Sequence, residues 1–197
     1  MNITKLAGVF LLAFGLQAQA DIKVGVSSDN YFRGHNISDG FGYSVGGSYD
    51  WNGINGSIGL MSLADDADGD HLMFSKLGYG LDIAGMKVKL SYNDYSWQGG
   101  DADGWQELGV AADLGMFGFK YHKGLDDAGD FYAIHSDILK FARLEYGDWD
   151  DGGSYWKVSK SMDALGGKIK IGYIDHEDSN ADSLDVDNLF VGYYYKF

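Results

Sequence analysis

The chain of 197 residues contains no cysteine and no proline, and beyond residue 20 it has no apolar run as long as a membrane helix requires. Each absence has a consequence. Without cysteine an exported protein forgoes disulfides. Without proline every residue keeps its backbone donor, which suits a chain paired almost throughout in strands. Basic side chains are also scarce: 15 Lys and Arg stand against 29 Asp and Glu, for a net charge of −14. That balance argues against nucleic acid as a partner. No cofactor motif is present. What is abundant is glycine, with 30 residues, and aromatics, at 15%.

The first twenty residues form a separate unit. Met1 to Lys5 carries one positive charge, Leu6 to Leu16 is apolar, and Ala18-Gln19-Ala20 is a small-residue cleavage site. This is the pattern of a secretory signal peptide, its apolar core too short to span a bilayer. Residues 1–20 are therefore read as the leader and 21–197 as one domain.

Period-two alternation runs through that domain. Phe41, Tyr43, Val45, Gly47, Tyr49 and Trp51 share one face, with Gly42, Ser44, Gly46, Ser48 and Asp50 on the other. Asn52-Gly53 follows, a hairpin signal because both central residues of a type I′ turn need positive φ. Similar tight connections fall at Ala84-Gly85, Gly115-Met116, near Ile138-Leu139, and between Asp163 and Gly167. Longer polar segments lie between them, at about 33–40, 64–71, 94–104, 124–130, 147–153 and 175–187. Short and long connections in turn describe an up-and-down meander of about twelve strands, with ten as the fallback. Strands near 117–123, 140–146 and 168–174 look short of a span. The expected fold is all-β: a transmembrane antiparallel β-barrel with both termini beside the short turns.

Charge is distributed unevenly. The long segments hold most of the acidic residues and a single basic one, Arg33. One rim should thus be strongly anionic. A lipocalin-like soluble barrel would bury the apolar parity, whereas a membrane barrel exposes it. The opposite parity is small and polar, as in Asn55, Ser57 and Gly59, and suits a lumen. Aromatics such as Tyr43, Trp51, Phe117, Tyr132 and Trp156 gather near strand ends, as interfacial girdles do. The final strand, "LFVGYYYKF", carries Leu189, Val191, Tyr193, Tyr195 and Phe197 on one face, expected to meet lipid. Its expected partner is the first strand, near Ile22 to Val26.

With lipid outside, the inner parity takes Lys76, Lys87, Lys89, Lys120, His122, Arg143, Glu145, Lys157, Lys168 and Lys170 as pore-lining candidates. Two readings stay open: a network of ion pairs that fills the barrel, or a narrow aqueous path with a basic wall. Arg33, Asp65, Asp66, Asp68 and Asp70 are candidates for the mouth. Arg33 could pair with a carboxylate, line the mouth, or be solvated.

The aspartate-rich "DDADGD" at 65–70 and "GGDADGW" at 99–105 resemble EF-hand loops. Aligned on Gly69, the first and twelfth ligand positions are Ala64 and Ser75; aligned on Gly104, they are Gly99 and Val110. Neither loop has the carboxylates required, so no metal site is expected beyond loose Ca²⁺ or Mg²⁺ binding. No G-x-S-x-G elbow or H-E-x-x-H occurs. An aspartate–histidine pair such as Asp65 or Asp66 with His71, or Asp175 with His176, is the weakest reading.

The stretch "VSSDNYFRGHNISDG" at 26–40 resembles the opening motif of the TorF-type porin family, the Gcw_chp conserved hypothetical outer-membrane proteins. Asp29, Tyr31, Phe32, Arg33, Gly34, Ser38 and Asp39 match, and Gly46-Gly47 with Tyr49 fit its continuation. The family's Pro-Ala-x-Gln-Gly segment is missing, and the chain is shorter than most members. The resemblance implies a small outer-membrane barrel with passive transport and supplies no catalytic residues. The terminal aromatic Phe197 resembles the address read by the outer-membrane assembly machinery. The expectation is therefore a non-enzymatic, narrow porin-like channel for small solutes or ions in the bacterial outer membrane. Lipid and lipopolysaccharide are its expected surroundings. The alternative is a non-transporting surface barrel; a hydrolase ranks below both.

Overall fold

A computed structural model describes residues 19–38, 40–64, 69–100, 103–125, 127–137, 141–150, 152–177 and 186–197. Its strands in chain order are β1 (Gln19–Ser27), β2 (Tyr31–Phe32), β3 (His35–Asn36), β4 (Gly42–Trp51), β5 (Ile54–Ser62), β6 (His71–Ile83) and β7 (Met86–Gln98). There follow β8 (Trp105–Asp113), β9 (Phe117–Leu125), β10 (Phe131–Ser136), β11 (Arg143–Trp149), β12 (Gly153–Ala164), β13 (Gly167–Glu177) and β14 (Val186–Lys196). β1 and β4 to β14 form one closed antiparallel barrel of twelve strands, each paired with its neighbour in sequence. β2 and β3 stand apart as a two-stranded ribbon.

Closure is made between the first and last strands, where Val24 pairs with Tyr195 and Val26 with Tyr193. The Phe197 amide adds a 2.9 Å hydrogen bond to the Ile22 carbonyl. Asn52 and Gly53 have φ of 50° and 83°, as a type I′ hairpin requires, and Ala84-Gly85 repeats the pattern at 53° and 83°. Opposed residues of antiparallel strands share a face, so closure gives all twelve strands one consistent inside and outside. Ile22, Val45, Leu77, Leu90, Leu108, Ile134, Val158, Ile171 and Val191 are exposed on the outside. The buried apolar residues, Leu72, Phe131, Ala133, Tyr155, Ile174 and Phe190, lie inside. A soluble barrel would reverse this arrangement; it is the architecture of a membrane-spanning one.

Several boundaries differ from the sequence reading. β11 occupies Arg143–Trp149 rather than 140–146, β13 extends to Glu177, and only residues 150–152 connect β11 to β12. The first long segment begins at Ser28, earlier than 33, and much of it is ordered as the ribbon.

An arginine at Leu90 or Leu108 would project from the outer wall at mid-strand. Each is expected to cost about 2–4 kcal/mol in lipid, while Ser91→Arg, on the inner wall, costs well under that. Chemical unfolding in lipid vesicles measures both. Equal losses on the two faces would contradict the exterior assignment.

Candidate functional site

The loop after β1 does not leave the barrel. It turns inward, and the β2–β3 ribbon is anchored to walls on several sides. Ser27 Oγ donates to Asn30 Oδ1 at 3.0 Å, and Asn30 Nδ2 donates to the Ser62 carbonyl at 3.1 Å and the Tyr43 carbonyl at 3.2 Å. The Asn30 amide donates to Ser38 Oγ at 2.7 Å, closing the base of the loop. Asn36 Nδ2 reaches Asp29 Oδ1 at 3.1 Å. The Tyr31 ring packs on Phe190 of β14 with centroids 5.5 Å apart. Burial, with Asp29 nearby, pushes the Tyr31 phenol up to about 12, so it is neutral at physiological pH.

Arg33 and Gly34 form the ribbon's tip, with φ of 51° and 94°. Both values match a type I′ turn; for arginine that conformation carries strain of about 1–2 kcal/mol. Only glycine fits the second position, since a Cβ on Gly34 would lie 2.6 Å from Tyr155 Cδ1 and 2.8 Å from His176 Cδ2. The tip is thus wedged between β12 and β13 on one side.

On the other side Arg33 pairs with Glu107 of β8 through Nη2 and both carboxylate oxygens. The arginine side chain is 5% exposed and the carboxylate 0%. Glu107 also meets His122 Nδ1 at 2.8 Å and accepts from Trp105 Nε1 at 3.0 Å. The guanidinium carbon lies 4.5 Å from the Phe131 ring centre, 5.1 Å from Phe32 and 5.2 Å from Trp149. Phe32, Tyr95, Trp105 and Trp149 form one aromatic layer around it. Above that layer a cavity of about 570 Å³, lined by Phe32, His35, Trp97, Trp105 and Trp149, opens toward the long loops.

The solvated reading of Arg33 is therefore corrected. It pairs with a carboxylate 74 positions away, inside the barrel, where the low dielectric strengthens their attraction and aromatic faces help offset the cost of desolvation. Asp70 stays exposed in its loop, while Asp65, Asp66 and Asp68 lie outside the described residues. Among the described residues no group of three His, Asp or Glu could hold a metal ion. Asp175 and His176 do not form a pair, because successive strand residues face opposite sides. His176 is buried inside with its Nε2 2.9 Å from the Gly152 carbonyl oxygen, and His71 faces outward against the Tyr43 hydroxyl.

The ladders place every pore-lining candidate on the inner parity, but their surroundings differ. His122 belongs to the Glu107 cluster. Glu145 is buried, paired with Lys157, and accepts from the Tyr155 hydroxyl at 2.9 Å. Arg143 Nε donates to Asp137 at 2.8 Å, and that hydrogen bond holds the exposed carboxyl below its usual range. Lys168 sits 3.2 Å from Asp163 beside a short turn. Lys87 lies between Asp82 and Asp113 on the ladder. Lys76, Lys89, Lys120 and Lys170 have no carboxylate within ion-pair distance among the described residues. Below the ribbon a cavity of about 360 Å³ is lined by Lys23, Lys157, Lys170, Tyr31 and Phe190.

No family model matches the chain, and no curated protein does. Solved structures that resemble this chain in fold include two outer-membrane proteins. One is the Salmonella typhi outer membrane phospholipase (OMPLA) dimer with bound calcium, at 16% identity and a TM-score of 0.45, covering 90% of this chain and 88% of that one. The other is the COG4313 outer membrane channel from Pseudomonas putida F1, at 13% identity and a TM-score of 0.42, covering 92% and 96%.

Removing either member of the Arg33–Glu107 pair strands a buried charge, at an expected cost of about 3–5 kcal/mol. The paired change Arg33→Met with Glu107→Leu should recover part of that loss. A double-mutant cycle on unfolding of the refolded protein measures the coupling; additive single losses would mean that the two side chains act independently.

Proposed function

We propose that the chain is a bacterial outer-membrane barrel acting as a narrow porin-like channel for passive diffusion of small solutes or ions. Its long acidic loops face outward, its short turns face the periplasm, and the β2–β3 ribbon is the constriction. The observation that carries this reading is the ribbon folded across a closed barrel whose inner wall below it is polar and water-accessible. Lys87 and Lys89 are exposed there, and Gly, Ala and Ser occupy much of the remaining inner parity.

The family-like motif supports it as well. Asp29, Tyr31, Phe32, Arg33, Gly34 and Ser38 each have a part in folding or anchoring the ribbon. We read the motif as a porin-family constriction element and assign the chain no catalysis.

The same ribbon favours one competitor, a barrel sealed by its own loop that transports nothing. Planar-bilayer recording of refolded protein separates the two. Wild type should give small conductance steps, and Arg33→Ala with Glu107→Ala, which frees the ribbon tip, should give larger ones. Absence of steps from both proteins would leave the sealed barrel.

We also assign Phe197 to recognition by the assembly machinery, in a barrel surrounded by lipid and facing lipopolysaccharide. Its deletion should reduce insertion in cells, read by membrane fractionation, while refolding in detergent proceeds. Normal insertion without it would end that assignment.

A further inference from the structure

Between the ribbon and the turn-proximal residues, the inner wall carries Lys76, Lys89, Lys120, Lys157 and Lys170 against one carboxylate, Glu145. Lys157 occupies that carboxylate. The other inward acids at this end of the barrel, such as Asp82 and Asp163, lie beside the short turns. Glu107 is committed to Arg33 and His122 at ribbon level. Asp21, held by Lys196, and Asp50 share a cavity of about 290 Å³ with Lys76 and Lys89. Yet Lys76, Lys89, Lys120 and Lys170 all lack a carboxylate at ion-pair distance among the described residues, so positive charge at mid-depth is in excess.

The ladder also gives these amines room. Lys89 is flanked across the sheet by Gly80 and Ala111, Lys120 by Ala111 and Ala133, and Lys170 by Ser161 and Gly192. Lys76 has Ser57 and Asn93 beside it. Lys120 and Lys170 lean on rings, 5.3 Å from Phe131 and 5.7 Å from Phe190, contacts that hold the stems without cancelling the charge. Lys170 borders both the 360 Å³ cavity under the ribbon and a second one of about 470 Å³ near Arg143 and Ser159. One lysine therefore serves two adjoining spaces.

We propose that the lumen below the ribbon, whose inner wall carries Lys76, Lys89, Lys120 and Lys170, takes up small oxyanions such as phosphate or carboxylates. Amines without fixed partners on an enclosing wall draw counter-anions toward them, and cavities lined by lysines and hydroxyls admit small ones. The acidic long segments follow the loop ends of the strands, on the far side of the ribbon from these lysines. Transport by this site rests on the channel reading; binding by it does not.

Reversal potentials of the refolded full chain in a KCl gradient test the transport arm. Wild type should favour chloride over potassium at low salt. The triple variant Lys76→Gln, Lys120→Gln, Lys170→Gln should lower that ratio by about tenfold, the scale on which charged clefts concentrate ions. Cation preference in wild type, or a ratio unmoved by the triple variant, overturns the proposal. If the triple variant fails to refold, Lys89→Gln and Lys170→Gln singly should each lower the ratio, and no change in either overturns it.

Absence of conductance in wild type would defeat the channel reading and leave the binding arm to decide. Inorganic phosphate, added in nonionic detergent, should then raise the unfolding temperature of wild type more than that of the Lys variants. This comparison subtracts the general stabilisation by phosphate salts. Equal rises overturn the anion site.

Discussion

The pairing of β1 with β14 is the constraint on which the rest depends. An open meander of the same strands would present two unpaired edges, and each strand could slip by one residue and exchange its faces. Once Val26 lies opposite Tyr193, the alternation of every strand is referred to one cylinder. The aliphatic parity then has to be the exterior, because the other parity holds the lysines and the ribbon's anchors. Closure thereby makes lipid the only solvent that suits the outside, and it encloses a space in which a loop can be captured.

A ribbon of two residues per strand has no stability of its own. It persists here because the wall supplies what its backbone lacks. Asn30 ties its base to Ser27, Tyr43 and Ser62, while Arg33 ties its tip to Glu107. The buried pair carries a large desolvation penalty, which is offset only because Glu107 has further partners in His122 and Trp105 and Arg33 lies among aromatic faces. A hydrophobic tip would pack without specifying a position. An arginine among four rings has one place where its charge is satisfied, so the ribbon is held in register as well as held down.

Much of this was legible in the sequence. Asn52-Gly53 announced a hairpin because its backbone leaves few alternatives, and the alternation of "LFVGYYYKF" announced a two-faced strand. The inner parity of the lysines followed from the same period. What escaped was non-local. Arg33 and Glu107 stand 74 positions apart, and no local rule joins them. A signal existed, however: Arg33 is the lone base of the long acidic segments, and Glu107 is an inward-facing acid among Trp105, Gly109 and Ala111. Two charges each out of keeping with their surroundings, and opposite in sign, are natural partners. Tyr31-Phe32 was a second signal, since two adjacent aromatics in a polar loop need somewhere dry to go. The β11 boundary differs for another reason: with the tight connection read at Ile138-Leu139, Lys140 and Phe141 fall into the strand, which the ladder starts at Arg143.

The ribbon also separates two electrostatic regions that would otherwise cancel. Its outer side faces acidic loops, and its inner side faces lysines. If the lumen were open from rim to rim, the carboxylates of the mouth would draw cations inward, and the amines would draw anions toward the mouth. A layer of Phe32, Tyr95, Trp105 and Trp149 around Arg33 stands between the two regions and sets them apart in distance. The one ionised pair within that layer, Arg33 with Glu107, is neutral as a unit. In the channel proposed above, an ion passes a neutral aromatic section rather than a charged ring. On that reading the constriction sets how much crosses, and the lysines beneath it set the sign of what is held.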